Sequence, residues 1–154
     1  MRLKKLNRNQ KGQTLIEVLI AVALLGMIAV AFLGGLVTVF RADIIADERS
    51  VAQSLATSQM EYVKSQVYNT SNTQAQYPKL PSSDIPSGYN IKSLDRNGNM
   101  FDDGAHIIGV PWDAVNGIAS STDNGIQKIT LIICRDTPKE LLTLEGYKVS
   151  RGEK

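Results

Sequence analysis

One carboxylate near the N-terminus stands out for its chemistry. Glu17 precedes residues 18–40, which are 23 consecutive residues without a charge. An ionised and unpaired carboxylate in hydrocarbon costs several kcal/mol of free energy. The sequence therefore predicts either that Glu17 lies in the headgroup region of a bilayer or that it has a cationic partner.

A second group of candidate ligands lies in residues 94–104. Oxygen-bearing side chains surround Gly98 there: Asp95, Asn97, Asn99, Asp102 and Asp103. Oxygen ligands at alternate positions of a tight loop suit calcium, and the spacing from Asp95 to Asn99 resembles the start of an EF-hand loop. His106 stands where that loop would have its last acid, and Asx and Gly residues also form plain turns. A calcium site and a structural turn both remain open.

The other reactive residue types are scarce. His106 is the only histidine and Cys134 the only cysteine, so an intramolecular disulfide is impossible. Nothing around His106 resembles a nucleophile elbow or a metal pair, which favours a loop or surface histidine. Cys134 and Trp112 are expected in the core. We therefore predict no catalytic residue, no cofactor other than calcium, and no enzyme activity.

The uncharged run is long enough to cross a bilayer. A rise of about 1.5 Å per residue makes residues 18–40 roughly 34 Å long, against a hydrocarbon core of about 30 Å. The first 12 positions hold no acid and five basic residues: Arg2, Lys4, Lys5, Arg8 and Lys11. This basic flank predicts a single-pass membrane protein with a cytoplasmic N-terminus and an exported C-terminal part.

Charge beyond the uncharged run is nearly balanced. Residues 41–154 contain 12 basic and 14 acidic residues. A nucleic-acid-binding surface usually needs an excess of basic residues. The composition therefore predicts no specific nucleic-acid partner.

Apolar residues continue at helical spacing after the uncharged run, and no proline occurs in residues 13–68. The predicted apolar stripe consists of Ile44, Ile45, Val51, Leu55, Tyr62, Val63 and Val67. This pattern predicts one helix of about 55 residues. Its first half, residues 13–40, is apolar all round, and residues 41–68 are an amphipathic continuation.

The rest of the chain predicts a small antiparallel β domain over residues 88–154. Residues 69–87 are rich in Asn, Ser, Thr and Pro and indicate a loop. Strands are expected at residues 88–94, 125–136 and 141–151, the second with alternating Ile129, Leu131 and Ile133. The predicted fold class is α+β, with a long N-terminal helix packed on a small antiparallel sheet.

The N-terminal residues also resemble a known family. A short basic leader, Gly12, Thr14, Glu17 and a later Gly26 in the apolar run resemble the processing signature of type IV prepilins and type II secretion pseudopilins. The resemblance is close from Lys4 to about Phe40 and only architectural beyond it. Gln13 departs from the pattern, because this family more often has phenylalanine there.

The resemblance implies a processing pathway. A prepilin peptidase would remove residues 1–12 by cutting between Gly12 and Gln13, and the same enzyme would methylate the new amine of Gln13. Glycine fits the extended backbone that a protease binds. A secretory signal peptide is cut after its apolar segment, whereas here that segment would be retained for assembly.

Processing would also give Glu17 its partner. Removal of the leader creates an amine on Gln13, four residues before Glu17, and helices of successive subunits are staggered in a filament. The carboxylate of an assembled subunit would then pair with the amine of the incoming one. Either charge left alone in low dielectric is costly, so this pairing would set the register. Thr14 and Glu17 are the predicted assembly residues.

The function predicted from these features is that of a minor pilin or pseudopilin, assembled into a type IV pilus or a type II secretion pseudopilus. Implied partners are the prepilin peptidase/methyltransferase, other pilins or pseudopilins, an inner-membrane assembly platform and membrane lipid. The subunit would lie in the inner membrane and, after assembly, in the periplasm or at the cell surface. The alternatives are a tip adhesin or DNA-uptake module and an unprocessed single-pass anchor.

Overall fold

The computed structural model describes residues 14–136 and 139–151. The chain divides into two units, the first ending at Ile44 and the second beginning at Ile45. The predicted leader, residues 1–12, and Gln13 lie outside the described residues. The fold is α+β, as the sequence predicts.

One helix, α1, extends over Leu15–Ser65. Its composition explains its length, because the segment contains no proline and is rich in leucine, alanine and other good helix formers. In residues 15–44 every side chain is exposed, including large apolar ones such as Leu25 and Ile28. It is the one helix among the described residues that is long and apolar enough to span a membrane.

The C-terminal part of α1 buries one face. The buried residues are Ala52, Leu55, Ala56, Gln59, Met60 and Val63. The spacing is three or four residues, as expected for a helix packed on one side. The predicted stripe is therefore wrong in part, because Ile44, Ile45, Val51 and Val67 are between 37% and 77% exposed. Two alanines hold central positions in the actual contact face, since their small side chains allow close packing.

Within the described residues, seven strands form an antiparallel sheet. They are β1 (Ala75–Pro78), β2 (Tyr89–Leu94), β3 (Met100–Phe101), β4 (His106–Asp113), β5 (Ile118–Ala119), β6 (Ile126–Arg135) and β7 (Lys139–Val149). The main path is β1-β4-β6-β2-β3, with β5 paired to β4 and β7 to β6. The strand β6 is central, because it pairs with β2, β4 and β7.

The core lies between this sheet and the buried face of α1. The sheet supplies fully buried residues from four strands, among them Tyr77, Ile91, Ile107, Ile129 and Ile133. Gly109 permits a close approach at this point: a Cβ there would lie 2.8 Å from Gln127 Oε1 and 2.9 Å from Tyr77 Cε2. An ion pair of 2.9 Å between Arg135 Nη1 and Glu48 Oε1 adds a link between β6 and the helix.

The structure corrects several predicted boundaries. The helix ends at Ser65 rather than about Tyr68. The strand β1 and a 3-10 turn, Ser82–Asp84, lie within residues 69–87, which were predicted to be a loop. Pairing with β4 explains β1, because Ala75 faces Gly109 and Tyr77 faces Ile107 across the ladder. The short strands β3 and β5, and the longer β4, have no counterpart in the prediction.

Candidate processing and assembly site

The helix begins beside the predicted processing site. Thr14 O accepts hydrogen bonds from Glu17 N at 2.9 Å and Val18 N at 3.3 Å, which closes the first turn. Glu17 lies in that turn, where a negative charge is favoured by the helix dipole. Gly12 and Gln13, the predicted cleavage and methylation residues, lie outside the described residues.

Glu17 is exposed. Within residues 14–136 and 139–151, no cation forms a salt bridge with its carboxylate. Because its neighbours along the helix are exposed apolar side chains, Glu17 is the one acid in residues 15–40, a surface otherwise suited to lipid or to other apolar helices. Such a surface can accept a cation from another molecule at this position.

The apolar surface around Glu17 also contains small residues. Apart from the adjacent backbone of the helix itself, a Cβ placed on Gly26, Gly34 or Gly35 would have no heavy atom within 4 Å. These positions are therefore open for close approach of another helix. Thr38 Oγ1 donates a hydrogen bond of 3.1 Å to Gly34 O, which satisfies a hydroxyl that would otherwise be exposed on an apolar face.

The comparison with known families finds a match that includes the start of α1. The family described as "prokaryotic N-terminal methylation motif" matches residues 7–33. The chain carries a prepilin-type methylation motif. This motif is consistent with the type IV pilin and pseudopilin family, and together with the long apolar helix it supports a membrane-anchored, pilin-like subunit. No curated protein and no solved structure matches the chain.

The predicted calcium ligands are divided between two places in the structure. Asp95 closes the turn between β2 and β3: its Oδ1 accepts hydrogen bonds from Asn97 N at 2.8 Å and Asn99 N at 2.7 Å. The Asn99 side chain also donates to Asp95 Oδ2 at 3.2 Å. Asp102 and Asp103 follow β3 and bind other donors.

Asp103 binds the start of β4. Its Oδ2 lies 2.7 Å from His106 Nδ1, and its Oδ1 accepts hydrogen bonds from the backbone of Ala105 and His106. These contacts, with the His106 side chain first, lower the pKa of Asp103 to about 2. In the described part of the chain, no group of three or more His, Cys, Asp or Glu residues is arranged to hold a metal ion. Calcium binding through the Asx residues stays a prediction.

The other singled-out residues have ordinary surroundings. Cys134 is buried in β6, as predicted, and burial raises the pKa of its thiol. His106 is partly exposed at the start of β4, also as predicted for a surface residue. Trp112 was expected in the core but is only half-buried, with Lys128 Nζ 4.6 Å from its ring centroid.

Sequence reasoning missed two polar sites that fix the end of the helix. Lys148 is 4% exposed, and its Nζ donates to Val63 O at 2.7 Å, Lys64 O at 3.2 Å and Gln66 O at 2.6 Å. Carbonyls at a helix C-terminus lack intrahelical donors and carry partial negative charge, so an ammonium group is a suitable cap. Burial lowers the pKa of Lys148, with a smaller contribution from Arg151.

Asp123 is the centre of the second site. Its carboxylate accepts hydrogen bonds from Tyr68 Oη at 2.5 Å, Gln127 Nε2 at 2.6 Å and Ser71 N at 3.1 Å. Gln127 Oε1 in turn accepts a bond of 2.6 Å from Tyr77 Oη. This network attaches the segment after α1 to the start of β6. Lys148 lies in strand β7 and Asp123 in the loop before β6. A lone basic residue in a strand and a lone acid in a loop do not indicate a polar site in the sequence.

Proposed function

We propose that the protein is a minor pilin or pseudopilin, a membrane-anchored structural subunit of a type IV pilus or a type II secretion pseudopilus. The observation that carries the proposal is the overlap between the methylation motif and the exposed apolar part of α1. Residues 7–33 match the motif, and residues 18–40 expose apolar side chains on all sides. A retained apolar helix behind a processing site is useful only as an anchor and an assembly surface.

The proposed pathway begins at the membrane. The N-terminus stays cytoplasmic because of its five basic residues, and the sheet unit is exported. Prepilin peptidase cuts between Gly12 and Gln13, and methylation then modifies the amine of Gln13. An assembly platform in the inner membrane moves the subunit from lipid into the filament, where neighbouring pilins or pseudopilins cover the same apolar residues.

Glu17 provides specificity in this pathway. Its carboxylate pairs with the Gln13 amine of an adjacent subunit, while Thr14 holds the first turn through its backbone carbonyl. The pair contributes less net free energy than its Coulomb attraction suggests, because both charges lose hydration. An unpaired charge is far more costly, so only the correct helix register is favourable.

Two substitutions separate processing from assembly. In the native cell we expect Glu17→Ala to be cut and inserted normally, yet to be absent or strongly depleted from sheared filaments or pseudopili. Gly12→Val should remain uncut, with the full leader in its mass. Asp43→Ala is the matched control, since Asp43 is another exposed acid on α1, and it should assemble. Normal assembly of Glu17→Ala would exclude the proposed pairing.

A further inference from the structure

The carboxylate of Asp102, which directly follows β3, accepts hydrogen bonds from an amine and a carboxamide at the same time. Lys79 Nζ donates to Asp102 Oδ1 at 2.7 Å, and Asn90 Nδ2 donates to Asp102 Oδ2 at 2.9 Å. A second amine, Lys92 Nζ, lies 3.8 Å from Asp102 Oδ2. A primary amine, a primary carboxamide and an acid–base group are therefore brought together by residues from three separate segments.

The amine is shielded from water. The side chain of Lys79 is 5% exposed and that of Asp102 is 25% exposed. Asn90 lies opposite the buried Cys134, and Lys92 opposite the buried Ile132, in the β2–β6 ladder. Directly opposed residues share one face of a sheet, so Asn90 and Lys92 lie beside the apolar side chains of Cys134 and Ile132.

The Lys79 ammonium lies 2.7 Å from the carboxylate that would take its proton. Burial alone raises the pKa of Asp102, but donors led by Lys79, with Asn90 and Gly104, outweigh it and keep the pKa below its ordinary value. The resting state is thus an ion pair, and the proton transfer to Asp102 is uphill. A slow step suffices for a bond that forms once per molecule.

We propose that Lys79 and Asn90 form an intramolecular isopeptide bond, with Asp102 as the acid–base group. Asp102 takes a proton from the Lys79 ammonium, and the neutral amine attacks Cγ of Asn90. The new C–N bond forms as the Asn90 Cγ–Nδ2 bond breaks, and Asp102 returns its proton to the departing nitrogen. Ammonia leaves with the remaining lysine proton as ammonium, so charge and atoms balance without an oxidant or a co-reactant.

The bond would join parts of the sheet that are not neighbours. Lys79 directly follows the edge strand β1, whereas Asn90 belongs to β2, and β4 and β6 lie between these strands in the sheet. The ladder of β1 with β4 is only four residues long. A covalent tie across the face would therefore hold the edge strand in place under load. This inference does not depend on processing or assembly.

Mass spectrometry of the purified full chain tests the proposal. We expect the intact protein to be lighter by one ammonia than the mass calculated for its determined N-terminus and any N-methyl group, and tryptic digestion to give a branched peptide joining Lys79 to Asn90. Localisation is essential, since cyclisation of an N-terminal Gln13 or a succinimide at Asn97 would lose the same mass. Lys128 is the internal control: it pairs with Glu145 at 2.8 Å without an amide on that carboxylate, so trypsin should cleave after it.

Single substitutions test the role of each group in forming the bond. Lys79→Arg keeps a cation beside Asp102 and should abolish the branched peptide completely, as should Asn90→Ala. Asp102→Asn should abolish or greatly slow its formation. Unmodified linear peptides containing Lys79 and Asn90 from the folded wild-type protein would overturn the proposal, and so would an ammonia loss that maps only to Gln13 or Asn97.

Discussion

The two parts of α1 use the same backbone geometry for different surroundings. Residues 18–40 expose apolar side chains on every side, whereas from Ala52 to Val63 one face is buried against the sheet. The second part buries its apolar face within its own chain. The first part leaves its apolar side chains exposed in the described chain, a surface suited to lipid or to other apolar helices.

Polar side chains in the two regions differ in whether they have a partner within the described residues. In the sheet unit, buried polar side chains have partners: Gln59, for example, donates to Pro78 O at 3.2 Å and accepts from Leu80 N at 2.8 Å. Across the described residues, no buried side-chain nitrogen or oxygen lacks a hydrogen bond. Glu17, in contrast, has no ion-pair partner within the described ranges. In the proposed function, its partner is the Gln13 amine of an adjacent subunit.

The largest expected contrast comes from deleting apolar volume in each region. Ile133→Ala, at a fully buried site, should lower the free energy of unfolding by about 2–5 kcal/mol. Ile28→Ala, at a site 66% exposed, should change it by less than about 0.5 kcal/mol. Denaturant unfolding of the detergent-solubilised chain, followed by Trp112 fluorescence, measures both. Equal losses would contradict the division between the two parts.

A smaller effect is expected at the end of the helix. Lys148→Met removes the donor for three carbonyls and should cost about 1–3 kcal/mol, because buried acceptors are then left unsatisfied. Lys64→Met is the matched control, since Lys64 is exposed in the same turn and should lose little stability. Thermal melting of both variants measures the difference. A Lys148→Met protein as stable as the control would rule out the capping role.

The smallest effect is a dependence on pH. Burial alone raises the pKa of Asp123, but hydrogen bonds led by that from Tyr68 outweigh it and hold the pKa below the ordinary 3.8. The carboxylate therefore contributes stability that is complete above pH 3.8 and is lost as pH falls through the lower folded value. Asp123→Asn should flatten this part of the acid profile relative to wild type. Identical acid profiles for wild type and Asp123→Asn would contradict the assignment.

The sequence was most informative where periodicity and local composition decide the structure. The helix and the strand at 125–136 were predicted within a few residues, since proline-free apolar periodicity and strict alternation are local signals. The strand β1 was missed because its Asn- and Pro-rich surroundings indicate a loop, and its pairing partner β4 lies about 30 residues away. The buried face of α1 was misplaced because the sheet selects Ala52 and Ala56, which carry little hydrophobic signal.

The functional residues show the same limit, because the sequence indicates a local motif but not a contact between distant residues. Gly12, Gln13 and Glu17 were singled out because they belong to a short linear motif, and the matched family covers residues 7–33. Their individual roles stay predictions. The cluster of Lys79, Asn90 and Asp102 could not, because three strands must assemble before the groups meet. Spacing along the chain carries no information about such contacts.

The central claim concerns the N-terminus of the mature protein. Mass spectrometry of the chain purified from its native membrane, with tandem sequencing of the N-terminal peptide, tests it most directly. The account predicts a first residue of Gln13 carrying an N-methyl group, with the apolar helix retained. A mature chain that still begins at Met1, or one cut after residue 40, would contradict it.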